Sequence, residues 1–433
     1  MRMGKVKCFL IIILYVITSN SKAQQPANLS NIDKITYSQY MKKDWDNLIK
    51  TGEKAIKNGV EFYYLDYRIG IAWYAKHNFT KAIKYLKKVY KSSPNDVFVK
   101  TYLYYAYLQT NRFDDARLLS YTFDDKDKET LHIPLKNPFI KFTQASYTTS
   151  RIGNYSYYSQ NTNDNIEQLV IKNNTVFNFL WGHYIGNRTT LSFSYTKVNQ
   201  DLEIRPIENN SLLQHLSQPE FYTSLKYHIA YGYSIFAGIH FLKTTISTPV
   251  QKENRNSSNI IFRDNATSYS AGITKDFPFF TSTLEASMSN LNLKKQLQPT
   301  LTLQFYPLGN NKFYLATKGI YIQEKDANHT NEYYAIKQGL TFRIKHYSFI
   351  NPSITIGSFK NYTDYNAYIV NNNPDKTKIN FENTINIGLK KGKINLFFYY
   401  QYNIKENTFE INNIEKRKTY TEQNFLFGIN WIF

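Results

Sequence analysis

The last fifteen residues of the chain, 419–433, read TYTEQNFLFGINWIF and carry its clearest structural signal. Large apolar side chains recur at every second position, while the positions between them are mostly small or polar: the apolar set is Phe425, Phe427, Ile429, Trp431 and Phe433. Because side chains alternate between the faces of a strand, this segment has one apolar face and one hydrophilic face. A soluble sandwich also alternates, but its chain seldom stops on a fully apolar row. The pattern is typical of a transmembrane β-barrel, whose apolar row faces lipid and whose polar row faces the lumen.

The composition favours a barrel over a helical membrane protein. The mean hydropathy is −0.49, and beyond residue 17 no apolar run approaches the roughly 18 residues of a spanning helix. A barrel remains compatible, because its lumen-facing residues dilute the hydropathy signal. Aromatic residues make up 17% of the 433 residues, including 38 Tyr and 30 Phe, and interfacial girdles are a natural use for them. The single cysteine, Cys8, lies within the first 23 residues, which we expect to be a cleaved signal peptide (below). The expected mature chain therefore has no disulfide and no thiolate chemistry.

The formal net charge of +20 raises the question of a nucleic-acid partner. The basic residues are spread through loops and alternate strand positions, without a basic cluster or a nucleic-acid motif. We therefore expect no nucleic-acid partner and favour an anionic membrane surface or an anionic polymer.

The first 23 residues have the pattern of a cleavable secretory signal. Arg2, Lys5 and Lys7 precede an apolar run at residues 8–17, and small residues stand at Ser21 and Ala23. The apolar run is too short to span a membrane as an anchor. We expect the mature chain to begin at Gln24.

Residues 24–130 have helical periodicity and many Lys, Ala and Leu residues. One stretch has the spacing of a tetratricopeptide repeat, with the signature residues Ile69, Gly70, Trp73, Phe79, Ala82 and Pro94. Similar residues recur 34 positions later and, more loosely, 34 positions earlier. The pattern predicts a small all-α, tetratricopeptide-like domain, with a plain helical hairpin domain as the alternative. Stacked repeats form a curved surface that commonly binds peptides or polymers.

Residues 131–433 predict an antiparallel barrel of about fourteen strands. Fourteen alternating segments are each long enough for the roughly 9–11 residues that cross a bilayer. Short turns and long polar links alternate between them, with one exception near Asn292, as in barrels with short periplasmic turns and longer outer loops. An even strand number places both barrel ends in the periplasm, where a secreted preceding domain must also lie. The predicted fold is thus a multidomain α and β chain.

Strand parity predicts which polar side chains face the lumen, because a charge on the lipid face would cost about 2–4 kcal/mol at the midplane. The candidates are Lys226, Lys318, Lys337, Arg343, Glu285 and Glu382. The basic members either line a path for anionic or hydroxyl-rich solutes or pair with acids and pack the interior. Tyrosines in two expected outer loops, 155, 157 and 158 in one and 362, 365 and 368 in the other, suggest either sugar stacking or ordinary surface aromatics.

The sequence contains no recognisable catalytic constellation. The eight histidines are scattered, and neither HExxH nor GxSxG occurs. His228 and His240 fall on neighbouring predicted strands but are offset in register, which disfavours a metal site. We expect no catalytic, metal or cofactor site and a protein that is not an enzyme. A Ser–His pair on the barrel wall, acting on lipid or glycan, is the enzymatic alternative.

The plan of a helical repeat domain followed by a C-terminal barrel resembles the YaiO-type outer-membrane family. The resemblance rests on this architecture, on the repeat from Ile69 to Pro94 and on the terminal NWIF. It is also similar in plan to exporters of poly-N-acetylglucosamine, although those carry a longer repeat array and a larger barrel. Trp431 and Phe433 resemble the end signal that bacterial barrels present to the barrel-assembly machinery. The resemblance implies an outer-membrane protein with its helical domain in the periplasm and outer-membrane lipid around it.

These observations together predict a pore or export channel for a polysaccharide or another polar or anionic solute. The main alternative is a structural or scaffold barrel whose repeats recruit periplasmic partner proteins. A lumen filled by side chains favours the scaffold, and a Ser or Asp hydrogen-bonded to a His near a membrane interface favours the enzyme.

Overall fold

The computed structural model describes residues 29–153, 157–160, 166–206, 212–250, 258–325, 329–345, 347–370, 375–411 and 414–433. The expected signal peptide, residues 1–23, lies outside this part of the chain. The structure divides into two compact units, of which the second runs from Tyr107 to Phe433.

Seven helices occur in the described residues before the first strand: α1 (Leu29–Met41), α2 (Trp45–Lys57), α3 (Tyr63–Ala75), α4 (Phe79–Ser92), α5 (Val97–Leu108), α6 (Phe113–Ser120) and α7 (Asp125–Thr130). In the first unit, Leu48 and Ala55 of α2 pack with Leu65 and Ile69 of α3 and Tyr85 of α4 to form a buried core. Within the described residues, no helix combines the length and the apolar character needed to cross a membrane.

The six repeat-signature residues lie at the positions where α3 and α4 meet or end. Ile69 and Ala82 are fully buried, and Phe79, the first residue of α4, is nearly so. A Cβ built on Gly70 would meet the side chain of Leu86 at 2.9 Å, so the bare glycine allows the two helices to approach. The indole of Trp73 donates to Glu53 Oε1 over 3.2 Å. Pro94 is exposed two residues after the end of α4.

The second unit contains a closed barrel of fourteen long antiparallel strands, which confirms the predicted fold class. These strands are β1 (Ile140–Gly153), β3 (Ile166–Ile185), β4 (Thr189–Pro206), β5 (Leu212–Ala230), β6 (Tyr233–Val250), β7 (Ser258–Asp276), β8 (Phe280–Ser289), β9 (Lys295–Phe305), β10 (Phe313–Lys325), β11 (Thr330–Lys345), β12 (Ser348–Phe359), β15 (Lys376–Leu389), β16 (Ile394–Ile411) and β17 (Ile414–Ile432). Sequential strands pair around the ring, and β1 closes it by pairing with both β17 and β3.

Three further strands are not members of this ring of fourteen. The short β2 (Tyr157–Gln160) extends the pairing of β3. The two-residue strands β13 (Thr363–Asp364) and β14 (Ile369–Val370) form a small separate hairpin.

The two faces of the barrel differ in chemistry, as alternation along the strands requires. On β15, Phe381 and Ile387 are exposed on the outside, whereas Asn380 and Glu382 are buried on the inside. On β17, the side chain of Phe427 is 60% exposed, and Trp431 and Phe433 are also exposed. The barrel therefore has an apolar outer surface and a polar interior.

Candidate functional site: the barrel lumen and its two closures

The connection between β12 and β15 folds into the barrel instead of extending away from it. Its residues 361–370 are called the inner loop here. Asn361, Thr363 and Ala367 are almost completely buried. Tyr362, Tyr365 and Tyr368, expected in an outer loop, belong to this connection at the long-loop end of the barrel, and the structure adds that the connection turns into the lumen, a direction that strand alternation alone does not show.

The inner loop is attached to strands on several sides of the lumen. Thr363 exchanges two hydrogen bonds with the side chain of Gln298 on β9, over 2.7 and 3.0 Å. His240 Nδ1 on β6 lies 2.8 Å from the carbonyl oxygen of Ala367. The hydroxyl of Tyr368 donates to Asn178 Oδ1 on β3 over 2.8 Å. These contacts join the loop to strands far apart around the ring, so the loop crosses the interior.

The other expected outer loop contains the second group of tyrosines. Tyr155 lies outside the described residues, and so do the side chains of Tyr157 and Tyr158.

An ion cluster joins the inner loop to the wall. Asp364 accepts from Lys318 Nζ over 2.6 Å and lies 3.4 Å from Lys337 Nζ. Lys337 also donates to Glu382 Oε2 over 2.7 Å. Glu285 is buried on β8 and accepts the backbone N–H of Asn366. The structure thus brings together four of the six polar residues that strand parity selected, and it adds Asp364, which parity could not select because it lies in a loop.

The opposite end of the barrel, where the strand connections are short, is crossed by residues 107–123 of the same unit, called the capping segment here. Arg117 on α6 contacts the carbonyl of Thr189 at 3.4 Å, and its guanidinium lies 4.3 Å from the centre of the Tyr184 ring. The backbone N–H of Asn311 donates to the carbonyl of Gln109 over 2.8 Å. The segment therefore contacts turns from β3–β4 to β9–β10.

Asp115 is the centre of this attachment. It is almost fully buried and accepts the backbone N–H of Gly232 over 2.8 Å. Arg112 Nε donates to it over 2.7 Å, and His228 Nε2 lies 2.8 Å away. Arg112 Nε also lies 3.4 Å from Asp276 Oδ2, so one guanidinium links the capping segment to the end of β7.

The charged groups of the capping segment favour their ionised forms. Burial by itself raises the pKa of Asp115, but Arg112, His228 and the N–H of Gly232 outweigh it, so its pKa is lowered. Burial likewise raises the pKa of Asp114, and Lys226, at 2.7 Å, is the largest of the cations that reverse this and lower it. Burial lowers the pKa of Arg112, but Asp115, Tyr107 and Asp276 together outweigh it, so the pKa is raised. The attachment is therefore ionic at neutral pH.

A cavity of about 470 Å³ lies behind the capping segment, inside the barrel. Its lining is mixed: it includes the aromatic Phe113, Tyr306, Tyr314 and Phe349 as well as the polar or charged Asp115, His228, Asp276, Gln304 and Arg343. Lys226 lines the same space, so the remaining two lumen candidates, Lys226 and Arg343, are at the short-turn end, apart from the cluster around Asp364.

Ser234, His228 and Asp115 stand in the order of a hydrolase triad at this cavity. Ser234 Oγ lies 3.0 Å from His228 Nδ1, and Asp115 contacts the other ring nitrogen. Ser234 and His228 are directly opposed on β5 and β6, so strand register alone brings them together. Because Asp115 is also bound by Arg112 and Gly232, we assign these three residues to attachment of the capping segment.

Sequence reasoning did not identify the capping segment, and the signal available for it was weak. Asp114 and Asp115 form an acidic pair in the first turn of α6, a favourable place for acids on any helix. In the described residues, no group of three or more His, Cys, Asp or Glu side chains is arranged to hold a metal ion.

No protein-family model matches the chain, and a search of curated proteins found no match. Among solved structures, a FadL homologue of Pseudomonas aeruginosa is similar over 68% of this chain and 90% of its own, with 10% identity and a TM-score of 0.44. The toluene transporter TodX of Pseudomonas putida matches 69% of this chain and 90% of its own, with 5% identity and a TM-score of 0.47. The translocator domain of the autotransporter NalP from Neisseria meningitidis matches 76% of this chain and all of its own, with 9% identity and a TM-score of 0.33.

Proposed function

We propose that the protein is an outer-membrane channel that is closed in this conformation by the inner loop and the capping segment. The observation that carries the proposal is the cavity of about 470 Å³, lined in part by charged side chains, that remains inside a barrel with an apolar exterior. Small barrels without a transport role fill their interior with side chains. Here the interior retains space, and two separate chain segments obstruct it.

The contacts that hold the closures are of a kind that water can replace. Asp115 and Asp364 are each held by ion pairs and hydrogen bonds to the wall. Such contacts have a modest net free energy, because the separated groups are solvated when they part. A segment attached in this way is suited to leave and return.

The backbone of the inner loop is strained in the closed conformation. Tyr365, Asn366 and Ala367 have φ angles of 51°, 61° and 59°, and the left-handed conformation costs about 1–2 kcal/mol for a residue such as Tyr or Ala and less for Asn. Wall contacts hold the turn in place, including the hydrogen bond from Tyr222 OH to Asn366 O over 3.2 Å. A loop that leaves the wall is relieved of this backbone strain, and the relief offsets part of the free energy needed to break its hydrogen bonds.

The helical unit supports a role in delivering a polymer to the lumen. We propose that it lies in the periplasm, that its helices are tetratricopeptide-like repeats, and that they guide a polysaccharide or another polar solute. The close approach of α3 and α4 at Gly70 and the buried Ile69 and Ala82 support the repeat assignment. A YaiO-type relationship accords with this plan.

A scaffold barrel with a permanently closed lumen is the second candidate, and one observation favours it. The start of the inner loop is seated in an apolar cluster, in which Phe359 and Tyr362 pack against Ile320, Ile322 and Tyr333. Packing in this cluster opposes release of the inner loop, because release exposes buried apolar surface to water. In that case the helical unit recruits partner proteins.

Single-channel recording in planar bilayers tests the proposal. We expect rare openings for the mature protein and more frequent openings when residues 362–369 are replaced by Gly and Ser or when Asp115→Asn weakens the cap. Combining both changes should give steady conductance. If the combined variant stays silent although its barrel is folded, as judged by heat-modifiable mobility in gels, the channel is rejected and the scaffold is retained.

A further inference from the structure

Two lysines stand directly opposite one another on the inner wall of the barrel. Lys318 on β10 and Lys337 on β11 are register partners, and both are largely buried inside the barrel. Like charges at directly opposed positions destabilise an antiparallel pair. An anion placed between the two ammonium groups offsets this repulsion.

In this structure the anion is supplied by the inner loop. The two carboxylate oxygens of Asp364 divide between the lysines, with Oδ1 2.6 Å from Lys318 Nζ and Oδ2 3.4 Å from Lys337 Nζ. The carboxylate therefore bridges the pair as a free carboxylate would. Asp364 is the last residue of β13, and the turn of left-handed residues begins directly after it, at Tyr365.

The other acids of the cluster belong to the wall and remain when the loop moves. Glu382 contacts Lys337 at 2.7 Å and is fixed by hydrogen bonds from Asn380, at 2.9 Å, and Ser353, at 3.2 Å. Departure of Asp364 thus leaves this part of the wall one charge more positive than in the closed state. Lys318 then no longer has its 2.6 Å ion pair with Asp364.

Glu285 moderates this effect. It is buried on β8, acts electrostatically on Lys318, and loses the N–H of Asn366 when the loop leaves. The site therefore selects a ligand through two ammonium contacts to one group, rather than through a broad positive potential. A carboxylate has the geometry for this, as Asp364 demonstrates.

We propose that Lys318 and Lys337 form a carboxylate-binding site in the conduction path and that Asp364 is its built-in occupant in the closed state. A carboxylate-bearing solute entering the lumen takes the place of Asp364 and thereby favours release of the inner loop. This inference rests on the proposed channel function, since it names the class of solute that the channel admits.

The test is rescue of Asp364→Ala by formate in the full-length protein in detergent. The substitution removes one carboxylate and leaves a space of formate size beside the two lysines. We expect sodium formate to raise the unfolding midpoint of this variant by about 1–3 °C over sodium chloride at equal ionic strength. The wild-type protein, whose site is filled, should show no such difference.

Two controls make the result specific. Formamide, which is neutral and of the same shape, should not rescue, and Asp364→Ala combined with Lys318→Met should not respond to formate. If Asp364→Ala does not accumulate in folded form, the fraction refolded from urea in formate against chloride replaces the melting curve. Equal results in formate and chloride would overturn the proposal.

The melting experiment does not depend on conduction, so it separates the two hypotheses. A formate response in a protein that is silent in bilayers retains the carboxylate site and rejects the channel. Conduction without a formate response retains the channel and rejects the carboxylate site.

Discussion

Replacing Asp115 with asparagine should detach the capping segment without altering the barrel. Asparagine has the same shape, and its side-chain oxygen can still accept the N–H of Gly232, which now donates over 2.8 Å. The charge is removed, so Arg112 and His228 lose the ionic partner that each has within 3 Å. Arg112 keeps the longer ionic contact with Asp276, at 3.4 Å, and its position over the Tyr107 ring, at 4.9 Å.

The expected change in the free energy of releasing the capping segment follows from the burial of Arg112, which loses its ionic partner. Removing one partner of a buried ion pair costs about 3–5 kcal/mol. Because the Gly232 hydrogen bond and the Asp276 contact persist, we take a lower figure of about 2–3 kcal/mol for release of the segment. Since each 1.4 kcal/mol is a tenfold change, the ratio of released to attached segment should rise about 30- to 150-fold.

Hydrogen exchange followed by mass spectrometry measures this ratio. We expect faster exchange in peptides covering residues 107–123 and at the amide of Gly232, with unchanged exchange in strands that the segment does not touch. Asp125→Asn is the matched control, because Asp125 is exposed and its ion pair with Lys128, at 3.3 Å, is a surface contact worth about 0–1 kcal/mol. Equal protection of the Gly232 amide in the wild type and the Asp115 variant would refute the role of Asp115 in attaching the capping segment.

Three further predictions concern the rest of the chain. Burial raises the pKa of Asp66 in α3 to about 6. Because the folded state then binds more protons than the unfolded state, the free energy of unfolding of the helical unit should fall as pH rises from about 4 to 6. Asp66→Asn should flatten this dependence in urea titrations followed by circular dichroism at 222 nm. Gly70→Val forces a side chain into the space of Leu86 and should destabilise the same unit by about 1–3 kcal/mol in those titrations. Ser234 should not react with a fluorophosphonate probe, and Ser234→Ala should keep wild-type conductance; labelling of Ser234 would revive the hydrolase interpretation.

Local sequence patterns were sufficient for the architecture because each strand and helix records its environment in its own periodicity. Alternation along residues 419–433 and its thirteen counterparts predicted a fourteen-stranded barrel, and the structure has one. Parity also selected polar residues such as Lys318 and Lys337, which the structure places on the inner wall. These are properties of one element at a time, and a period of two or 3.6 residues is enough to express them.

Such patterns could not predict that the inner loop and the capping segment close the barrel. The inner loop is polar and rich in Asn and Tyr, as a solvent-exposed loop would be, and α6 is a short amphipathic helix like many others. Asp364 meets Lys318 across 46 positions, and Asp115 meets Gly232 across 117.

Strand number, strand faces and the helical character of the N-terminal region could thus be obtained from the amino-acid sequence, since they depend on the local alternation of apolar and polar side chains. Which polar segments enter the barrel, and which acid meets which base, emerged with the three-dimensional fold. A polar loop satisfies its hydrogen bonds equally well in water or in a polar lumen, and the choice depends on partners that are distant in sequence.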